Sequence, residues 1–131
     1  MAQTTLDTPV DVLNYALTLE HLEYAFYRDG LDQFTADDFT AAGYAPVVYD
    51  YLGLIRDHEL EHVDTLISVI ESLGGEPVAE ATYDFGYADV AGFVGVAQAL
   101  ENTGVAAYQG AAADLIDEDE LLTAALTIHG V

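Results

Sequence analysis

Apolar residues at alternating steps of three and four form the strongest pattern in the chain, and they predict one long helix over residues 46–73. Pro46 suits the first turn of such a helix, and two glycines follow its last predicted residue. Two polar residues, Glu59 and His62, fall inside the apolar stripe. A helix that buries this stripe also buries both of them, and buried ionisable groups need a compensating partner. The stripe consists of Val48, Leu52, Ile55, Glu59, His62, Leu66, Ile70 and Leu73.

Three further helices are predicted at about 9–29, 89–114 and 118–131. Thr8, Pro9 and Asp11 form a typical helix start, and Asp29-Gly30 is the expected end of the first helix. Thr35 is expected to cap one short helical turn. The segment 74–88 has no helical period and is predicted to be a long crossover, with only a weak strand signal at 82–87. These elements predict an all-α fold, an antiparallel four-helix bundle in a single domain over 1–131, with the fourth helix incomplete.

The balance of charge restricts the partners of this protein. The 131 residues include 24 acidic and only two basic residues, which gives a formal net charge of -22. Nucleic-acid phosphates and anionic membrane surfaces would both repel such a chain. Concentrated salt would screen its self-repulsion, so we expect a cytoplasmic protein of a salt-accumulating halophile, the alternative being an acidic protein from ordinary salt. The absence of cysteine excludes disulfides and thiolate metal sites.

An internal repeat connects two parts of the chain. Residues 16–27 and 97–108 both fit the pattern Ala-x-x-Leu-Glu-x-x-x-x-Ala-x-Tyr. The pattern aligns Glu20 with Glu101 and Tyr27 with Tyr108, and each glutamate falls on an apolar helix stripe. Coincidence in an alanine-rich chain is the alternative to a duplicated helix pair. If the halves are related, the counterpart of Glu59 falls just past Val131, so we expect the chain to end before a second Glu-x-x-His.

Several motifs resemble those of the ferritin-like superfamily. They are Leu-Glu-x-x-Glu-x-x-Phe-Tyr at 19–27, His-Glu-Leu-Glu-His at 58–62, Gly-Gly-Glu-Pro at 74–77, Leu-Glu-Asn-Thr-Gly at 100–104 and Ala-Tyr at 107–108. The resemblance implies that Glu20, Glu59, His62 and Glu101 are metal ligands. It also implies a cofactor of two iron or manganese ions, used for Fe(II) oxidation or for reduction of peroxide or oxygen. The family continues into a second Glu-x-x-His where this chain stops.

Other polar residues are expected to lie beside the metal ligands, in the core or at the surface. Glu23 lies one turn after Glu20 and is expected on the flank of the helix, or else beside the metal ligands. Tyr27 and Tyr108 are expected either to hydrogen-bond near the ligands or to pack in the core. The remaining histidines are expected to face solvent, namely His21, His58 and His129.

Two questions remain open from the sequence. A non-catalytic bundle that serves in interactions or in stress is the alternative to a metal centre, and it predicts that Glu20 and Glu101 are exposed or paired without metal. A homodimer formed through alanine-rich helix faces is compatible with the pattern. The zinc-protease spacing His-Glu-x-x-His is absent, since residue 61 is glutamate and residue 62 is the second histidine.

Overall fold

The computed structural model describes residues 8–100, and within this range every regular element is a helix. Helix α1 spans Pro9–Gln33, α2 spans Ala36–Ala41, and α3 spans Pro46–Ser72. Helix α4 begins at residue 90 and continues to residue 100, the last one described. No strand occurs between residues 8 and 100, so the weak strand signal at 82–87 does not produce one. The all-α prediction is confirmed, while the predicted helix at 118–131 lies outside the described residues.

Helix α1 begins as the sequence predicts and ends later than expected. Thr8 and Asp11 form a capping box, in which each side chain accepts a hydrogen bond from the backbone N–H of the other residue. The predicted end at Asp29-Gly30 is wrong, because the helix continues to Gln33. A Cβ atom at position 30 would lie only 2.3 Å from Cε1 of Phe93. The glycine therefore allows α4 to approach α1 closely and does not terminate the helix.

Helix α3 ends within one residue of the predicted position. Gly74 has a φ of +76°, a conformation that side-chain-bearing residues rarely adopt. Its N–H donates to the carbonyl of Glu71, and the N–H of Gly75 donates to the carbonyl of Ile70. This pair of bonds satisfies the last carbonyls of the helix. Leu73, the last member of the predicted stripe, lies beyond the helix and is 47% exposed, so its predicted place in the core is wrong.

Two apolar clusters form the core. The first joins residues 12–17 of α1 to residues 63–70 of α3, and the second joins residues 26–31 of α1 to Leu52 and the start of α4. The early part of α1 therefore lies beside the late part of α3, which makes the two helices antiparallel. Residues 20–23 and 59–62 lie between the two clusters. The buried face of α4 carries Val90, Phe93 and Ala97, whereas Val94 is only partly buried.

The crossover lies along α1 and is held by side chains spaced seven residues apart. Asn14 donates to the carbonyl of Glu76 and accepts from the N–H of Val78. One heptad later His21 bonds to the carbonyl of Val78 through Nε2, at 2.9 Å. Arg28 follows, and its Nη1 lies 3.0 Å from a carboxylate oxygen of Glu80. The expectation that His21 faces solvent is wrong, since it is only 8% exposed and lies under this segment.

Within residues 8–100, no helix has both the length and the apolar character that a membrane-spanning segment requires.

Candidate metal centre

Three of the four predicted ligands lie together in the layer between the two apolar clusters. The antiparallel packing of α1 on α3 places Glu20 opposite Glu59 and His62, which are one helical turn apart. Each of the three residues offers one ligand atom, and these atoms all lie within 4.8 Å of one another. The side chains are buried, with exposed fractions of 2%, 6% and 9% in the order of the sequence. The fourth predicted ligand, Glu101, lies outside the described residues.

The distances within the group are short, but its hydrogen bonding is incomplete. Nδ1 of His62 lies 3.3 Å from Oε2 of Glu20 and 3.7 Å from Oε2 of Glu59. Neither approach has the geometry of a hydrogen bond. Within residues 8–100, both ring nitrogens of His62 and Oε2 of Glu59 are buried without a hydrogen-bond partner. Such atoms are uncommon in native structures and point to a missing partner such as an ion or a water molecule.

The electrostatics of the group also require a cation or a proton. Burial raises the pKa of Glu59 well above its ordinary value, and the hydrogen bond and charge of Glu20, with the charge of Glu23, raise it further. Arginine side chains do not neutralise the group. Arg28 pairs with Asp29 and Glu80, and Arg56 pairs with Asp57. These two are the only Lys or Arg residues of the whole chain.

Glu23 belongs beside this group, and its expected place on the flank of α1 is wrong. Its side chain is only 6% exposed, and it interacts with Glu59 through a hydrogen bond and through its charge. Its spacing in the sequence could have predicted this position, because a residue three positions after Glu20 lies on the same face of the helix. The internal repeat argued against this position, because the residue that aligns with Glu23 in the second copy is Gly104 and not a glutamate.

The remaining predicted residues have different positions. Tyr27 is fully buried and packs against Phe26 and Phe93, with ring centroids 5.4 and 6.4 Å away. A hydrogen bond from Tyr27 to the ligand group stays a prediction. His58 is exposed, as expected. Tyr108 and His129 lie outside the described residues.

A comparison with family models gives the same result as the motifs. The model of the family described as "Ferritin-like domain" matches residues 8–131, nearly the whole chain. The chain belongs to the ferritin-like domain family. No curated protein matches the chain at a significant level. In this ferritin-like chain, the helices at 9–33 and 46–72 contribute the three grouped residues.

The donor set of this ferritin-like chain fits a metal ion. Two carboxylates and one imidazole provide oxygen and nitrogen donors, and no cysteine competes with them. Carboxylate and imidazole together suit divalent manganese and iron better than they suit soft metals. Nδ1 of His62, which lies near both carboxylates and has no hydrogen-bond partner among residues 8–100, would gain one in a bound cation. The buried Glu20, Glu59 and His62 can therefore bind a metal.

Proposed function

We propose that this protein binds iron or manganese through Glu20, Glu59, His62 and Glu101, and that it does so as a two-ion carboxylate centre. The observation that carries the proposal is the burial of Glu20, Glu59 and His62 together, with ligand atoms within 4.8 Å of one another. Buried carboxylates without a compensating positive charge are strongly unfavourable, so a bound cation accounts for their position.

The role of Glu101 rests on its spacing in the sequence. Val90, Phe93 and Ala97 form the buried face of α4, and Glu101 follows Ala97 by four positions. Four positions continue one face of a helix. In the proposed centre Glu101 supplies the second single carboxylate, as Glu20 supplies the first.

The proposed activity is oxidation of Fe(II), or reduction of peroxide or oxygen. Iron or manganese, when bound, supplies the change of oxidation state that these reactions need. The chain itself contributes negative charge from its carboxylates, which offsets the charge of the ions. The apolar clusters on either side of the group limit the access of water. Burial raises the pKa of Glu59 and so favours its protonated form in the metal-free protein, and we expect binding of a metal ion to release that proton.

The proposal is tested by metal content. The full chain would be loaded anaerobically with Mn(II) or Fe(II), dialysed, and analysed for metal per chain. We expect retained metal in the unaltered protein, at one or two ions per chain because a second Glu-x-x-His is absent from these 131 residues, and loss of retained metal in Glu59→Ala. Glu61→Ala is the matched control, because Glu61 is exposed on the same helix, and it should retain metal as the parent does. One ion per chain would reduce the proposal to a single-metal centre, and no retained metal would remove it.

The alternative of a non-catalytic bundle makes an opposite prediction at the same residues. The non-catalytic alternative predicts that Glu20 is either exposed or paired without metal. Glu20 is not exposed, because only 2% of its surface is accessible. The other form, pairing without metal, would correspond to the 3.3 Å approach between Glu20 and His62. The non-catalytic alternative would be supported if the protein folds normally and binds no metal at any stage of the loading experiment.

A further inference from the structure

Three aromatic residues at alternate positions of the crossover form a row of stacked rings. The ring centroids of Tyr83 and Phe85 are 5.3 Å apart, with an interplanar angle of 23°. Those of Phe85 and Tyr87 are 5.9 Å apart, with an angle of 14°. All three side chains are partly exposed, so the row is not simply part of the core. A partly exposed row of rings is a candidate surface for contact with a partner.

The protein core fixes this row in position. Phe26, which is fully buried, packs at nearly right angles to Phe85, with ring centroids 5.2 Å apart. It also packs against Tyr87 at 5.3 Å, and the hydroxyl of Tyr87 donates to the carbonyl of Phe26. The rings therefore need little rearrangement to receive a ligand, which lowers the entropic cost of binding.

An open cavity of about 240 Å³ lies between this row and the last turns of α1. The three aromatic residues line it together with Asp29 and Asp84. We call it the aromatic pocket. Pockets for drug-sized ligands usually have volumes of about 300–1,000 Å³, so this one suits a smaller molecule. It is separate from the metal centre, with which it shares no residue.

Acidic groups dominate the electrostatics of the aromatic pocket. The pKa of Tyr87 is raised to about 12, first by burial and then by the charge of Asp29; the charge of Arg28 opposes this rise, and the charge of Asp32 adds a smaller increase. Arg28 is held by Asp29 and Glu80 and lies over the ring of Tyr24, and it is not among the residues that line the pocket. Among residues 8–100, Asp84 has no ion-pair partner. An anionic ligand would be repelled here.

We propose that the aromatic pocket binds a small alkylated ammonium ion, held by the ring surfaces that Tyr83, Phe85 and Tyr87 present to the pocket and by the carboxylate of Asp84. Aromatic faces attract organic cations through the ring quadrupole, and recognition of quaternary ammonium groups is the main functional use of this interaction. A hard metal ion would need several oxygen ligands, whereas three of the residues that line the pocket are aromatic. The combination of aromatic faces with a carboxylate therefore favours an organic cation.

The test is a titration of the full-length protein with choline chloride, followed by tyrosine fluorescence and by backbone amide chemical shifts. We expect saturable binding with the largest shifts at residues 83–87. Tyr83→Leu should weaken binding about threefold to tenfold, which corresponds to the loss of one cation–aromatic contact. Asp84→Asn should weaken it to a similar extent. Two matched controls, Tyr51→Leu and Asp64→Asn, change exposed residues of α3 and should bind as the parent does.

Two probes separate an organic-cation site from other kinds of site. The neutral isostere 3,3-dimethylbutan-1-ol should bind far more weakly than choline. Calcium chloride at matched ionic strength should not displace choline. Equal binding of the neutral isostere, displacement by calcium, or unchanged affinity in Tyr83→Leu would each overturn the proposal. Circular dichroism of each variant would show that its helices are intact, so that a loss of binding is not a loss of fold.

Discussion

Gly30 shows at the scale of a single residue how a missing side chain positions two helices. Three ring atoms of Phe93 lie within 2.8 Å of the place where a Cβ would be, and Phe93 is itself fully buried. From the sequence, Gly30 was predicted to end the helix. Glycine is common at helix ends, but it also occurs where two helices make close contact. Only the tertiary contact with α4 distinguishes the two roles.

Replacement of Gly30 by alanine should destabilise the protein by about 1–3 kcal/mol, because Phe93 must leave its position in the core. The free energy of unfolding from chemical denaturation measures this effect. Gly53→Ala is the control, since Gly53 lies within α3 and its nearest neighbour would be a flexible arginine nitrogen 3.8 Å away. That variant should be more stable than the parent by about 0.5–1 kcal/mol. Equal effects of the two substitutions would contradict the proposed contact.

The raised pKa of Glu59 predicts how the stability of the metal-free protein depends on pH. The folded state holds the proton of Glu59 more tightly than the unfolded chain, in which the pKa is near the ordinary 4.5. The stability that this proton provides is fully present below that value and is lost as the pH rises above it. We therefore expect the free energy of unfolding to fall between pH 5 and pH 8, by at most about 1.4 kcal/mol per pH unit from this group.

Glu59→Gln isolates that contribution, because glutamine does not titrate. Denaturation with a chelator present should show a flatter pH profile for Glu59→Gln than for the parent. Saturating Mn(II) should flatten the profile of the parent as well, since the metal replaces the proton. Parallel profiles of parent and variant in the chelator would count against a raised pKa at Glu59.

Individual residues also show how much of the candidate site could be predicted from the sequence. Glu20, Glu59 and His62 were identified because each interrupts an apolar stripe, and the structure places all three in one buried group. Glu23 and His21 were misplaced because they lie at the edge of the stripe. Their burial depends on what covers that edge, namely α3 for Glu23 and the crossover for His21. A periodicity within one helix carries no information about such neighbours.

At the scale of elements, the helices were predictable and the path of the crossover was not. A capping box sets the start of α1, Pro46 stands at the first position of α3, and Gly74 ends α3, so these boundaries depend on residues close in the sequence. The crossover has no internal periodicity. Its position depends on single polar side chains of α1, more than 50 residues away along the chain.

Asn14 is the residue whose loss should release the crossover. Asn14→Ala removes one bond to the carbonyl of Glu76 and leaves the N–H of Val78 without its acceptor. Amide hydrogen exchange at Val78 should accelerate strongly, and stability should fall by about 1–3 kcal/mol. Thr18→Ala, an exposed change one helical turn away, should leave exchange at Val78 as it is in the parent. Protection of Val78 that survives in Asn14→Ala would disprove this anchoring role.

At the scale of the whole molecule, the dominant property is a net charge of -22 on 131 residues. Self-repulsion of this size opposes the compact state, and dissolved cations screen it over a Debye length that falls to about 3 Å near 1 M salt. We therefore propose that the protein works in concentrated salt. Its melting temperature should rise with KCl up to about 1 M and then level off. A flat or falling curve over that range would exclude adaptation to high salt.

The position of the polar layer between two apolar clusters has a consequence for cooperativity. The first cluster holds one end of the α1–α3 pair, and the second holds the other end together with α4. Between them, the contact of α1 with α3 runs through buried carboxylates and an imidazole, an arrangement that is unfavourable without a cation. An ion bound at Glu20, Glu59 and His62 would thus act as a cross-link, so that the two halves of the core unfold as one unit instead of separately.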